Sequence, residues 1–157
     1  MAKKNYIFIA LTILVLTVLF RAIAQPYRIS GDCMEPAVAD GKLRFLNRVL
    51  PYIRHYQAGD IIAFTYEDKP WIARVIALEG DQIQIKEGHI LVNDMTLQEG
   101  EIERNWADWD YGTYGINQIL TVPKGSIFVL SDNLSAHHDD SRVFGPISNS
   151  SILGVLW

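Results

Sequence analysis

Residues 60–93 read Asp60-Ile-Ile-Ala-Phe-Thr-Tyr-Glu-Asp-Lys-Pro-Trp-Ile-Ala-Arg-Val-Ile-Ala-Leu-Glu-Gly-Asp-Gln-Ile-Gln-Ile-Lys-Glu-Gly-His-Ile-Leu-Val-Asn93. Two β-rich runs, Asp60 to Tyr66 and Trp71 to Leu78, flank Glu67-Asp68-Lys69-Pro70, a turn-forming cluster. Next, Ile83 and Ile85 alternate with Gln82, Gln84 and Lys86, and Glu87-Gly88 turns the chain into His89 to Asn93. That alternation predicts a hairpin with one buried face. Ile119 to Val122 and Ser126 to Leu130 flank Pro123-Lys124-Gly125 and predict another hairpin. From Gln25 onward there is no helical repeat and no low-complexity segment, so the domain is mainly β. The stretch from Glu101 to Asn117, with Trp106, Trp109, Tyr111 and Tyr114, shows neither period and reads as a long loop. Its aromatics fit partial burial better than a partner-binding surface.

Ahead of this domain, Tyr6 to Phe20 is an apolar run interrupted only by Thr12 and Thr17, with Lys3 and Lys4 before it and Arg21 after it. Ala22-Ile23-Ala24 extends it towards the roughly 20 residues of a membrane span, and the preceding lysines orient the N-terminus to the cytosol. The same run is short enough for a cleavable signal peptide, and Ala22-Ile23-Ala24 has the small-x-small form of a cleavage site. A buried core helix fits least, since the run has no polar face. The 157 residues leave about 130 for one folded domain, and 49% hydrophobic with 20% charged residues excludes a largely disordered chain. A net charge of -4 gives no footprint for nucleic acid. The single cysteine, Cys33, excludes an intrachain disulfide and a multi-cysteine metal site.

Four fragments then occur in a telling order. Ile29-Ser-Gly-Asp-Cys-Met-Glu-Pro36 resembles the segment G-x-S-M-x-P of the bacterial type I signal peptidases, in which the serine is the nucleophile. Gly59-Asp60-Ile61-Ile62 and Ile72 to Asp81 resemble that family's G-D-I-V and K-R-V-I-G-x-P-G-D, in which the lysine is the general base. Ser131-Asp-Asn133, then Asp140-Ser-Arg142 and Gly145, resemble its G-D-N-R and S-x-D-S-R. The resemblance covers most of residues 27 to 147. It implies a two-part β-sheet domain, residues 25–157, outside the plasma membrane behind a single retained span in residues 1–24. It also implies exported precursors or signal peptides as partners, cut after small residues, contact with membrane lipid, and no cofactor or metal. Met34, Pro36, Ile61, Ile62 and Ile72 would line the peptide groove with Cys33, and the segment from Met34 to Val38 would sit near the bilayer.

Two positions depart from the pattern: Cys33 stands where the nucleophile is expected and Ala73 where the base is expected. Alanine takes no proton, but a thiol is a few per cent ionised near neutral pH and intrinsically strong, so cysteine tolerates the loss of lysine better than serine does. Counting back from Asp140 places His138 where the family has a serine beside the lysine. Counting forward from Asn133 finds one extra residue, which points to His137 instead. A histidine in a polar loop is often merely solvated, and a lone cysteine often merely buried. The resemblance also implies Asp140–Arg142 as a supporting ion pair, Asp132 and Asn133 as scaffold, and the Cys33 N–H as oxyanion donor, with Gly31 offering no side-chain donor. Leu134 replaces the arginine after D-N.

Two functions stay open on these residues. In one, Cys33 attacks the scissile carbonyl, His138 or His137 forms an ion pair with the thiolate and shuttles the proton, and Asp139 or Asp140 orients the ring. In the other, the chain keeps the groove without the chemistry and helps assemble exported subunits, as in pilus assembly. A chain in which either substitution was introduced to disable the enzyme gives the same sequence. A cytosolic self-cleaving repressor does not fit the apolar leader.

Overall fold

The computed structural model describes residues 2–86, 89–97, 112–133 and 138–157. His137, Leu134, Trp106, Trp109 and Tyr111 lie outside the described residues.

Helix α1 spans Ala2–Ile23. Its described side chains, residues 5–21, are exposed on every side of the helix. The two polar interruptions are satisfied internally, since the Thr12 and Thr17 hydroxyls donate to the Phe8 and Ile13 carbonyls at 2.9 and 2.8 Å. Among the described residues no helix is long and apolar enough to cross a membrane.

A seven-stranded antiparallel sheet follows, built from β1 (Ala24–Arg28), β2 (Leu43–Asn47), β3 (Ile61–Tyr66), β4 (Lys69–Ala77), β9 (Ser126–Leu130), β10 (Ile147–Ser148) and β11 (Ile152–Leu156), in the order β1-β2-β11-β3-β4-β9-β10. A second sheet, ordered β7-β6-β5-β8, contains β5 (Gln82–Lys86), β6 (His89–Val92), β7 (Met95–Thr96) and β8 (Leu120–Thr121). The fold is mainly β and in two parts, as the sequence implies. Short helices α2 (Leu50–Ile53) and α3 (Ser141–Phe144) are additions that no period in the sequence signals.

The β3–β4 turn is tighter than the sequence suggests. Only Glu67 and Asp68 lie in it, with φ of 49° and 60°, the left-handed pair that matches strand twist in a two-residue hairpin. Lys69 and Pro70 therefore belong to β4. The β5–β6 hairpin has the expected register, with Ile83 and Ile85 buried between exposed Gln82 and Lys86. The second expected hairpin does not form. Strand β8 pairs with β5, whereas β9 pairs with β4 and β10, so Pro123-Lys124-Gly125 carries the chain from one sheet to the other. Backbone bonds between Gly80 and Val122 (2.9 Å) and between Val122 and Asp81 (2.9 Å) lash this link to the β4–β5 link, which outweighs local pairing.

Strand β4 is buried on both faces, and its alternation sorts the core. Ile72 packs with Ile29, Met34, Val38, Leu46 and Ala63 on one face. Ala73 and Val75 pack with Ile62, Phe64, Ile127 and Val129 on the other. Ile76, Ala77, Phe128 and Leu130 meet Ile83, Ile85 and Ile90 of the smaller sheet. Strand β11 lies so close to β2 that a Cβ on Gly154 would sit 2.6 Å from the Asn47 carbonyl oxygen. Glycine is required there by space.

Candidate active site

Cys33 sits in the turn between β1 and β2. The turn is closed at its base by Ile29, whose N–H donates to the Lys42 carbonyl at 2.9 Å, and by Gly41, whose N–H donates to the Ile29 carbonyl at 3.1 Å. Gly31, at φ 100°, lets the chain bend so that its N–H donates to Asp40 Oδ1 at 2.9 Å. Met34 and Val38 are rooted in the core. That corrects two expectations: Met34, at 0% exposure, lines no groove, and the Met34 to Val38 segment offers neither of those side chains to a bilayer. Pro36 points to solvent, away from the cavity described below. Asn133 pins the turn from the opposite sheet region, donating its N–H to the Cys33 carbonyl (2.9 Å) and its amide to the Asp32 carbonyl (3.1 Å).

A cavity of about 480 Å³ opens beside the half-buried thiol. Its lining includes Cys33, Ile72, Ser131, His138, Asp139 and Lys69. Of the expected site residues, Cys33, Ile72 and His138 come together here. Ile61 packs near Cys33 in the same apolar cluster but does not line the cavity. Ile62 and Ala73 lie on the other face of the sheet, which removes both from the groove. Strand alternation is the reason: neighbours on β4 cannot both face Cys33.

The imidazole of His138 is held by Asp32, with Nε2 2.8 Å from Oδ1. Asp32 thus takes the orienting role expected of Asp139 or Asp140. Asp140 cannot take it, because its carboxylate is fully buried and already occupied. It accepts from Arg142 Nε at 2.8 Å and Nη2 at 2.6 Å, caps α3 through the Arg142 N–H, and accepts the Ser131 N–H at 3.1 Å. Burial pulls the Arg142 guanidinium below its usual range, and Asp140 pulls it back. Asp132 is clasped by Arg74, whose Nε lies 2.7 Å from Oδ1, while Arg74 Nη1 donates to the Gly59 carbonyl at 2.9 Å. The Arg74 pair holds Asp132, the residue after Ser131, against β4, and the Arg142 pair with the Ser131 bond holds Asp140 against Ser131 and α3.

The thiol itself is not primed. Its Sγ lies 3.9 Å from the Ile72 carbonyl oxygen, and the ring partner of His138 is a carboxylate, not the sulfur. Burial, then the Asp32 carboxylate and more weakly Asp132, push the Cys33 pKa up, against the backbone N–H groups of Cys33 and Met34. Among the described residues the expected thiolate–imidazolium pair is therefore not formed by His138. Alkylation of Cys33 by iodoacetamide at pH 7 is expected to be slower than that of a free cysteine and to keep rising above the ordinary thiol pKa of about 8.5. Mass spectrometry of samples quenched across pH 6 to 10 measures this, and a rate already at its plateau by pH 6 contradicts it.

Sequence reasoning missed Asp32 and Lys69. Asp32 had a usable signal, its position next to the nucleophile candidate. Among the described residues no cluster of His, Cys, Asp and Glu could hold a metal ion.

A family model described as signal peptidase, peptidase S26, matches residues 3–156. The chain belongs to the peptidase S26 signal peptidase family. It is 30% identical to signal peptidase I P of Bacillus subtilis subsp. natto over 98% of this chain and 83% of that protein. It is 28% identical to signal peptidase IB of Staphylococcus aureus strain COL, over 96% and 84%. Among solved structures, a signal peptidase I from Enterococcus faecalis V583 superposes with a TM-score of 0.51 at 27% identity, covering 66% of this chain and 98% of that one. The mainly β fold is thus similar to that of a signal peptidase I.

Proposed function

We propose that this S26 family member binds exported precursors beside Cys33 and cleaves them after small residues, with Cys33 as nucleophile in the serine position and His138 as base, while Ala73 matches the family's lysine in sequence order alone. The observation that carries this reading is that Cys33 and the Asp32-tethered His138 line one cavity at an open strand edge. Strand β9 reaches only Arg74, Val75 and Ala77 of β4, so residues 69–73 keep one side unpaired by any described strand. A peptide laid along that edge gains main-chain hydrogen bonds, and its carbonyls pass the thiol.

The chemistry follows from a resting, protonated thiol. As the scissile carbonyl arrives, the His138 nitrogen not engaged by Asp32 takes the thiol proton while sulfur bonds to the carbonyl carbon. The oxyanion is met by the Cys33 N–H. The imidazolium returns its proton to the leaving amine as the C–N bond breaks, leaving a thioester. Water, losing a proton to His138, then releases the acid and restores the thiol. Apo geometry with a longer sulfur–ring distance is common for such pairs and tightens on binding substrate.

Further, although no described helix is by itself long and apolar enough to cross a membrane, the leader of residues 1–24 as a whole anchors the domain in the plasma membrane, with its N-terminus in the cytosol and residues 25–157 outside. Its helix of 22 residues has apolar side chains on all sides and no described polar face. Exposed Phe45 lies beside its last turns, where the Phe20 and Phe45 rings meet edge to face at 6.2 Å, and exposed Trp157 donates its N–H to the Phe45 carbonyl. Such residues suit the lipid interface.

The raised thiol pKa is the one observation that favours a binding-only helper. Incubating the detergent-solubilised full chain with a precursor bearing an Ala-x-Ala site, and sequencing the product N-terminus, separates the two. Cleavage after the second alanine supports the peptidase, and capture of intact precursor without cleavage supports the helper.

A further inference from the structure

A second cavity, of about 470 Å³, lies away from Cys33 beside α2 and is lined by Arg48, Tyr52, His55, Tyr56, Asn149 and Ser150, with an apolar floor that includes Ile152 and Leu153. Among the described residues no carboxylate lines it, although the chain as a whole carries a net charge of -4. Its polar groups are hydrogen-bond donors or donor-capable: a guanidinium, an imidazole, two phenols, an amide and a hydroxyl. The nearby Arg54 takes no part, because its guanidinium is spent on Asp60 at 2.7 and 2.8 Å. Arg48, by contrast, reaches only the neutral Gln25 side chain, at 3.5 Å.

The position of this cavity supplies the second argument. The Arg48 N–H donates to the carbonyl of Ile23, the last residue of α1, at 3.2 Å. Asn47, one residue earlier, pairs with Ala24 at the start of β1. Wherever α1 leaves the hydrocarbon, Arg48 stands at that level. Tyr52, 88% exposed, lines the mouth, and the next residue, Ile53, is exposed outside it, a phenol and an aliphatic side chain suited to the polar–apolar boundary.

We infer that this cavity binds the phosphodiester headgroup of an anionic phospholipid, with Arg48 as the charged contact. The assignment rests on the reading of α1 as an anchor and is independent of the chemistry at Cys33. A guanidinium with no carboxylate competitor gives a charge-assisted bond to a phosphate oxygen, and the phenols and His55 supply further donors. Two acyl chains would leave along the outer face of α1.

The test titrates the detergent-solubilised full chain with phosphatidylglycerol, or with inorganic phosphate, and counts adducts by native mass spectrometry. The expected result is one saturable phosphatidylglycerol per chain, with affinity reduced about tenfold or more in Arg48→Gln, as loss of a charged hydrogen bond implies. Arg44→Gln, a neighbouring exposed arginine outside the cavity, is expected to bind as the parent does. His55→Gln serves as a second cavity variant should Arg48→Gln fold poorly, with weaker binding expected. Equal losses in Arg44→Gln and the cavity variants, or no saturable adduct, overturn the site. Inorganic phosphate binding as tightly as the lipid overturns the lipid as its source. Alkaline carbonate extraction tests the anchor separately. A chain that stays with the membrane yet shows no Arg48-dependent lipid adduct overturns the cavity alone, and a chain released from the membrane overturns the anchor beneath it.

Discussion

Cys33→Ala is expected to lower kcat/KM for an Ala-x-Ala precursor by about a thousandfold or more, since it removes the sulfur that forms the acyl-enzyme bond. His138→Ala should cost about 10² to 10⁴, the usual worth of a positioned general base, and should shift the remaining activity to higher pH, where the thiol ionises unaided. Asp32→Asn has two opposing effects. It releases the ring from its tether, which slows proton transfer, and it removes the leading charge that raises the Cys33 pKa. The alkylation midpoint of Asp32→Asn should therefore move down while its cleavage rate also falls. Asp139→Asn, by contrast, should leave kcat within a few-fold, because Asp32 and not Asp139 holds the ring. Undiminished cleavage by Cys33→Ala would falsify the nucleophile assignment outright.

The second large effect concerns stability. Asp140→Ala leaves the fully buried Arg142 guanidinium without its carboxylate and frees the Ser131 N–H that Asp140 accepts. Breaking a buried pair from one side costs about 3–5 kcal/mol. For a chain of this size that is a fall of roughly 10 °C in Tm, measurable by circular dichroism of the detergent-solubilised protein. Replacing both partners by apolar residues, as in Asp140→Leu with Arg142→Met, should cost less than the single change, because no charge is stranded. A single variant as stable as the parent contradicts the assignment of this pair as the clamp beneath the site.

The pairing of β3 with β4 was legible because two β-rich runs flank a turn-forming cluster, and that of β5 with β6 because Ile83 and Ile85 alternate with polar residues before Glu87-Gly88. The β8–β9 hairpin was misread for a physical reason. Ile119 to Val122 and Ser126 to Leu130 are each good strands, and nothing local tells that Val122 bonds to Gly80 and Asp81 instead of folding back on its neighbour. At the site, where the structure brings Cys33 and His138 to one cavity, motif spacing pointed to Cys33 and to His138 or His137. It could not assign faces: Met34, Ile62 and Ala73 are apolar in sequence whether they line a groove or fill a core, and only the pleat of β4 and the packing of the β1–β2 turn decide. The orienting carboxylate was hidden likewise, because Asp32 and His138 lie 106 positions apart and meet only through tertiary structure.

The placement of β11 between β2 and β3 bears on how the molecule is made. The strand synthesised last among those described fills the middle of the larger sheet. Before β11 is in place, β2 and β3 both wait with naked edges, and the site-bearing turn between β1 and β2 is docked to only half a sheet. Closure of the larger sheet then waits on Ile152–Leu156. Until that moment its exposed edges are open to misassociation, so β11 sets when the site becomes whole as much as it serves as scaffold.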